Sequence, residues 1–360
     1  MDGFRTISIN ATGLNGSVAL FGKSTNGSGV KITKTEMSNV TISGSATGNG
    51  SGVDISGDNT LTNTTVNGNG TDGSGVNISG NLTSSGNSTV TGNASGNGNG
   101  VNISGNITDG VISGGATGNG AGVDISGDST LNNTTVSGNG TDGAGVSISG
   151  NLSNSGNSTV TGNASGNGNG VNISGNITDG VISGGATGNG SGVDISGNST
   201  LTNTTVNGNG TDGSGVNISG NLTSSGNSTV TGNASGNGTG VDINGTVTGG
   251  DITGNASGNG TGVDINGTVT GGDITGNASG SGNGVNISGN ITDGVISGGA
   301  TGNGSGVDIS GNSTLTNTTV NGNGTDGSGV NISGNLTSSG NSTVTGNASG
   351  NGTVLTLMVR

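Results

Sequence analysis

The sequence lacks cysteine, proline, histidine, tryptophan and tyrosine altogether. Without histidine and cysteine, most zinc, copper, haem and iron–sulfur sites are excluded, and no disulfide framework can form. Proline removes a backbone donor. Its absence from a chain so rich in turn-forming residues indicates that nearly every backbone N–H is needed in a hydrogen-bond ladder. Phe4 and Phe21 are the only aromatic residues, so the thick core of an ordinary globular domain is excluded as well.

Positive charge is almost as scarce, since the formal net charge is −14. The five cations are Arg5, Lys23, Lys31, Lys34 and Arg360. A nucleic-acid groove needs clustered cations and aromatic stacking platforms, and an anionic membrane surface repels an acidic chain. No run approaches the ~18 apolar residues of a membrane span. We therefore predict no nucleic-acid partner, and no membrane insertion by this segment.

Glycine, with 88 of 360 residues, and an apolar fraction of only 24% would ordinarily indicate disorder. The spacing of the apolar residues argues against it, because a Val-x-Ile motif preceded by glycine recurs every 22 to 25 residues. Its valines are Val30, Val53, Val76, Val101, Val123, Val146, Val171, Val193, Val216, Val241, Val263, Val285, Val307 and Val330. Such a period indicates a stacked repeat architecture, and nothing in the chain has the 3.6-residue period of a helix.

Each repeat reads as three short strands joined by Gly/Asn turns. In the repeat that begins at Val76, this valine and Ile78 alternate with polar residues, Leu82 follows, and Val90 marks a third strand. The next repeat offers Val101 with Ile103, then Ile107, then Val111 with Ile112. Glycine and asparagine between these strands readily take positive φ. The fold class predicted is all-β: a right-handed parallel β-helix of about 14 coils of 22–25 residues.

We divide the chain into an atypical N-terminal coil or cap (1–29), the repetitive solenoid (30–352) and an off-pattern C-terminal tail (353–360). The start, MDGFRTISINATG, is not a signal peptide. We therefore expect an export signal outside this chain, and expect the chain to be a truncated member of a longer array. Apolar residues near the N-terminus are predicted to cover one end, namely Phe4, Leu14, Val18, Leu20 and Phe21. The tail residues Val354, Leu355, Leu357, Met358 and Val359 predict end-to-end self-association.

The residue after each repeat valine is expected to face solvent and to stack in its own column. Aspartates in this column are almost always separated by Asn or Ser, which suits amide ladders and avoids stacked carboxylates. Asp242 and Asp264, in two inserted 22-residue repeats, are the exception. They are the best pair for an incidental cation site, although solvated carboxylates are the simpler interpretation.

No catalytic, cofactor-binding or metal-ligating residue is predicted. Glu36 is the only glutamate, and the repeats contain no base or nucleophile paired with a cation. Two other patterns suggest specific roles. Thr-x-Thr pairs such as Thr89/Thr91 suggest an ice-binding array, yet they recur mostly on every third coil. Asn-x-Ser/Thr glycosylation motifs are abundant, for example at Asn77, Asn81, Asn87 and Asn93, although a chain built from Asn, Gly, Ser and Thr also produces them by chance.

The repeating pattern VNISGNLTSSGNSTVTGNASGNG resembles the repeat regions of bacterial surface proteins of the filamentous-haemagglutinin, two-partner-secretion type, and of the broader β-strand-repeat or autotransporter adhesins. The resemblance covers about residues 28–352 and rests on composition and repeat style. It implies a non-catalytic shaft of a surface-exposed or secreted adhesin, with a host-cell or bacterial surface as partner. The alternatives are a self-assembling extracellular filament and an ice- or ligand-binding solenoid.

Overall fold

A computed structural model describes residues 7–9, 13–33 and 35–357. The described residues form only strands, turns and bends, and the strands pair in parallel as a right-handed β-solenoid of about 15 coils. The predicted fold class is therefore confirmed, with a coil count close to that expected. The chain divides into two compact units, one of residues 1–174 and 180–184 and the other of residues 175–179 and 185–360.

The first strand of each coil carries the Val-x-Ile motif, except that the first of these strands in the chain reads Ile-Ser-Ile and the last reads Leu-Thr-Leu. In the first unit these strands are β1 (Ile7–Ile9), β3 (Val30–Thr33), β5 (Val53–Ser56), β8 (Val76–Ser79), β11 (Val101–Ser104), β13 (Val123–Ser126), β15 (Val146–Ser149) and β18 (Val171–Ser174). In the second unit they are β20 (Val193–Ser196), β22 (Val216–Ser219), β25 (Val241–Asn244), β28 (Val263–Ile265), β31 (Val285–Ser288), β34 (Val307–Ser310), β37 (Val330–Ser333) and β40 (Leu355–Leu357).

The second and third strands of each coil form the remaining wall. In the first unit these are β2 (Leu14–Ser24), β4 (Glu36–Ala46), β6 (Asn59–Thr62), β7 (Thr65–Gly70), β9 (Leu82–Ser85), β10 (Thr89–Ala94), β12 (Ile107–Ala116), β14 (Ser129–Gly140), β16 (Leu152–Ser155) and β17 (Thr159–Ala164). Of the three boundaries between the units, the one after residue 174 follows β18, and those after residues 179 and 184 fall within β19 (Ile177–Ala186). In the second unit the strands are β21 (Ser199–Gly210), β23 (Leu222–Ser225), β24 (Thr229–Ala234), β26 (Val247–Thr248), β27 (Asp251–Ala256), β29 (Val269–Thr270), β30 (Asp273–Ala278), β32 (Ile291–Thr292), β33 (Val295–Ala300), β35 (Ser313–Thr316), β36 (Thr319–Gly324), β38 (Leu336–Ser339) and β39 (Thr343–Ala348).

The valines form continuous buried columns within each unit. Val101, for example, is the register partner of Val76 on one side and of Val123 on the other. All fourteen repeat valines are fully buried, and so are the isoleucines two residues later. The strand register extends one coil further at each end than the Val-x-Ile motif does, because Ile7 pairs with Val30 and Leu355 pairs with Val330.

The second strands stack aliphatic side chains directly at some junctions between coils, as at Ile107 and Leu82, and offset them by two residues at others. Leu61 lies opposite Ser84, while Leu82 lies opposite Asn59. Asn59 is buried, and its amide oxygen accepts a hydrogen bond from the Thr35 backbone N–H at 3.1 Å. Where the leucines are offset in this way, each leucine lies opposite a smaller residue of the neighbouring coil.

A single residue in the left-handed conformation forms the corner between the second and third strands of many coils. Those residues are Asn39, Asn63, Asp109, Asn133, Asp179, Asn203, Asp293 and Asn317, with φ between 44° and 56°. Asparagine and aspartate tolerate this region better than other non-glycine residues. In several coils the corner is so tight that the two strands run on as one. Strand β12 is an example, which corrects the expectation of three separate strands there.

Glycine is abundant because the third strand packs directly against the chain that leads into the next coil. A Cβ atom placed on Gly92 would lie 2.1 Å from the carbonyl oxygen of Gly100. No side chain fits at that distance, so at this position the third strand and the segment before the next first strand pack backbone against backbone.

The sequence interpretation placed Val111 and Ile112 together on the third strand, and the structure separates them. Ile112 is buried in register with Val90, whereas Val111 is 44% exposed. The expected cover at the N-terminal end is also wrong for Phe21, which is 67% exposed, and Leu14, Val18 and Leu20 are only half-buried. Phe4, Met358 and Val359 lie outside the described residues.

Candidate functional site: the outward faces of the coils

The residues beside the buried valines form the predicted outward column. Asn77 donates its amide to Asp54 at 2.9 Å, and Asn102 donates to Asn77 at the same distance. In the second unit, Asn217 donates to Asp194 at 2.7 Å and Asn331 to Asp308 at 2.9 Å. Each amide thus donates to the residue of the preceding coil, and most carboxylates receive a donor from the following coil.

A second donor reaches some of these aspartates from the turn before the preceding first strand. Asn99 donates to Asp124 at 3.0 Å, and Asn283 donates to Asp308 at 3.2 Å. Burial nevertheless raises the pKa of Asp124, and hydrogen bonds from Ser147 and Asn99 offset part of that effect. Desolvation of a half-buried carboxylate therefore exceeds what two neutral donors return.

Asp242 and Asp264 break the pattern, as the sequence predicts. They are direct register partners on adjacent strands. Burial, and secondarily the charge of Asp264, raises the pKa of Asp242, whose Oδ1 atom is buried without a hydrogen-bond partner. Burial also raises the pKa of Asp264, although Asn286 donates a hydrogen bond to it at 2.8 Å.

A second acidic pair occurs in the same inserted coils and was missed in the sequence. Asp251 and Asp273 are register partners at the start of the third strand, and both side chains are exposed. The repeated motif GGDITG was the available signal, because identical coils must stack identical residues. The two pairs have the same register relationship and differ in burial.

An open groove runs along the third strands of the second unit. Its volume is about 870 Å³. Each coil contributes one triplet to the lining, from Gly185–Thr187 to Asn347–Ser349. The triplet is Asn-Ala-Ser, Asn-Gly-Thr or Gly-Ala-Thr. No lining residue carries a charge. Eight coils at ~4.8 Å spacing give the groove a length of roughly 34 Å.

Hydrogen-bond ladders order both sides of this groove. On one side, Asn277 donates to Asn255, and Asn255 donates to Asn233, each at 3.0 Å. On the other, the Ser279 hydroxyl donates to the Ser257 carbonyl at 3.0 Å. Each asparagine retains a second amide N–H beyond the one used in the ladder, so the groove presents regularly spaced neutral hydrogen-bonding groups.

The glycosylation motifs fall in different environments. Asn77 is half-buried, and its amide and that of Asn93 are in ladders. The Asn81 side chain accepts a hydrogen bond from the Asn106 backbone at 3.1 Å. Asn87 is exposed and borders a smaller cavity of about 470 Å³ in the first unit. Three of the four motifs are therefore already engaged in the stacking of the coils.

The Thr-x-Thr pairs do not form an uninterrupted array around Thr89 and Thr91. Their register partners are Thr65 and Asn67 on one side and Val111 and Ser113 on the other. Among the described residues, no three acidic, histidine or cysteine side chains converge on a possible metal site. Helices are absent from the same residues, so none is long and apolar enough to cross a membrane. Comparison with protein-family models, curated proteins and solved structures finds no match to this chain.

Proposed function

We propose that this chain is a structural segment of an exported surface protein, the shaft of an adhesin. The observation that supports this proposal is the uniformity of the coils: each repeats one buried aliphatic column and one set of outward ladders. A catalytic site needs a base or nucleophile positioned against an electrophile-stabilising group. The outward columns instead repeat amides, hydroxyls and carboxylates at the same position in coil after coil, and the sequence has no cation between Lys34 and Arg360 to pair with them.

The proposal predicts where the protein is found and what removing coils does. Antibodies raised against the recombinant 360-residue chain are expected to label intact cells of the source organism. Removal of whole coils from the chromosomal gene is expected to reduce adhesion while surface labelling persists. Labelling that requires cell lysis would contradict the proposed location. Unchanged adhesion after coil removal would contradict the proposed role.

A self-assembling filament is the second candidate, and the last complete coil favours it. Leu336 and Val344 occupy inward positions on β38 and β39, yet both are only half-buried, whereas their counterparts Leu222 and Val230 are buried. An exposed inner surface and unpaired strand edges favour association with another copy. Sedimentation of the isolated chain at several concentrations tests this, since a strict monomer throughout would remove the filament candidate.

Ligand binding is the third candidate, and the uncharged groove of the second unit favours it. The groove suits a neutral linear polymer with both C–H faces and hydroxyls, such as a neutral polysaccharide. Calorimetry with a soluble neutral polysaccharide is expected to show binding that Asn255→Asp weakens. The matched variant Asn266→Asp, in a ladder outside the groove, is expected to bind as the parent does. Equal binding by both variants would contradict the assignment.

A further inference from the structure

The environment of Asp242 differs from that of the aspartates that receive amide donors in the same column. Four of those aspartates each accept a hydrogen bond from an asparagine amide of the following coil, namely Asp54, Asp194, Asp264 and Asp308. The next residue of the column after Asp242, in the following coil, is Asp264. An ionised Asp264 has no proton to donate.

The preceding coil does not supply the missing donor either. Asn217 lies opposite Asp242 but directs its amide to Asp194, at 2.7 Å. The turn positions from which Asn99 and Asn283 reach Asp124 and Asp308 are occupied here by Ser214 for Asp242 and Thr239 for Asp264. Neither residue has a side-chain amide to donate. The buried Oδ1 atom of Asp242 has no hydrogen-bond partner.

The strands that flank β25 carry one other titratable group beside Asp242. Strand β22 presents Asn217 and strand β28 presents Asp264, while β31 beyond it presents Asn286. The sequence contains no cation between Lys34 and Arg360. Two carboxylates in one desolvated site, with no cation to compensate, cannot both ionise without a substantial free-energy penalty.

We propose that Asp242 and Asp264 hold one proton between them in the folded solenoid. The pairing of β25 with β28 is then more stable in mild acid than at neutral pH. The proton comes from solvent and resides on the Asp242 carboxyl, whose O–H donates to the Asp264 carboxylate. Asp264 keeps the single negative charge and accepts the Asn286 amide at 2.8 Å on its Oδ1 atom. Protonation thus places one hydrogen bond between the two carboxyl groups, where two carboxylates can form none.

The direction of the pH dependence follows from the raised pKa of both groups. Because the folded state holds protons more tightly than the unfolded state, its stability increases as pH falls. The gain is complete below the unfolded aspartate pKa of about 3.9 and is lost as pH rises through the higher folded value. Within that window, an extra bound proton changes the opening equilibrium constant by up to about tenfold per pH unit.

The test uses hydrogen exchange of the amides in β25 and β28, measured in the full chain between pH 4 and 7 and corrected for the intrinsic exchange rate. We expect protection of these strands to increase as pH falls. In Asp242→Asn this dependence should disappear, and protection at pH 7 should exceed that of the parent, because the Asn/Asp alternation is restored. The carboxyl carbon resonances of the pair should titrate in two separated steps, the upper one absent from Asp242→Asn.

The exposed pair supplies the matched control, since Asp251 and Asp273 stack in the same two coils. Asp251→Asn should leave the pH dependence at β25 and β28 in place. Equal effects of Asp242→Asn and Asp251→Asn, or no effect of either, would overturn the proposal. So would calcium chloride at pH 7 producing the same protection as acid in the parent but not in Asp242→Asn, because the pair would then be a cation site.

Discussion

Each of the two compact units has a buried valine column as its core, and the units differ in their outward faces. In the first unit, successive repeat valines are 23, 23, 25, 22, 23 and 25 residues apart; in the second, three successive intervals of 22 fall among intervals of 23, 25 and 23. The asparagine ladder of the first unit is interrupted at Gly115 and has bonds of 3.5 and 3.4 Å. That of the second links Asn209, Asn233, Asn255 and Asn277 in an unbroken run of four, each bond at 3.0 Å, before Gly299 interrupts it.

The difference shows what repetition of an identical coil does to each residue type. Neutral amides gain stability from it, because an asparagine stacked between two others, as Asn255 is, both donates and accepts a ladder hydrogen bond. Carboxylates lose, because identical coils stack Asp242 on Asp264 and Asp251 on Asp273. Where the coils vary, as in the first unit, the carboxylates are separated from one another, but the asparagine ladder is less regular.

The largest expected effect comes from deleting part of an inserted coil. Removing residues 241–262 deletes one whole coil and should leave a cooperative β fold, because Val216 then stacks on Val263 as it now stacks on Val241. Asn217 would face Asp264, restoring the alternation. Removing only residues 241–251 destroys the register of every strand in the coil. Circular dichroism and thermal unfolding should distinguish the two deletions, and equal loss of structure in both would show that the coil is not the structural unit.

A buried charge in the shared core should have the next largest effect. Ile112→Asp places an unpaired carboxylate in a fully buried column of the first unit, which costs several kcal/mol. Val111→Asp, one residue earlier, introduces the same charge on the exposed face. Chemical denaturation of both variants measures the difference. Similar losses of unfolding free energy would mean that the register of β12 is wrong.

Asn154 marks a defect in the first unit that substitution should relieve. It is buried opposite Leu131, and neither its amide nitrogen nor its amide oxygen has a hydrogen-bond partner. Serine occupies the equivalent position opposite Leu201 in the second unit. Asn154→Ser should therefore raise the free energy of unfolding by about 1–3 kcal/mol. Ser224→Ala is the control, with a smaller gain, because only one unpartnered hydroxyl is removed.

The smallest expected effect concerns the ladders. Asn255→Ala removes two amide hydrogen bonds of 3.0 Å, whereas Asn93→Ala removes one of 3.5 Å, with Gly115 on its other side. We expect losses of about 1 kcal/mol and a few tenths of a kcal/mol respectively, since exposed neutral hydrogen bonds contribute little. Precise denaturant titrations measure this, and the reverse ranking would show that ladder continuity has no energetic consequence.

The sequence predicted the parts of this fold that follow from period and alternation. A valine every 22 to 25 residues, with isoleucine two positions on, can be buried continuously only by stacking the repeats in parallel. The same register predicted the outward column and the contact between Asp242 and Asp264, because one aligned position aligns its neighbours.

Features that depend on the shape of one coil could not be predicted. Adjacent apolar residues such as Val111 and Ile112 give no indication of which faces inward until the neighbouring strand is placed. The corner at Asp109, the pairing of Leu61 with Ser84, and the exposure of Phe21 depend equally on tertiary packing. The boundaries at residues 29 and 352 stay predictions, although the strands that contain Ile7 and Leu355 continue the parallel register of the valine strands.

The central claim is that residues about one repeat apart are stacked neighbours in parallel register, and disulfide formation tests it most directly because the chain has no cysteine. Ser113 and Ser137 are register partners with half-exposed side chains, and Ser137 also pairs with Thr161 in the following coil. Adjacent strands lie about 4.8 Å apart, within the Cα separation of a disulfide, and strands two coils apart do not. The double variant Ser113→Cys, Ser137→Cys should therefore form an intramolecular disulfide rapidly, and Ser113→Cys, Thr161→Cys should not. Equal rates for the two pairs, or no disulfide in either, would contradict the solenoid.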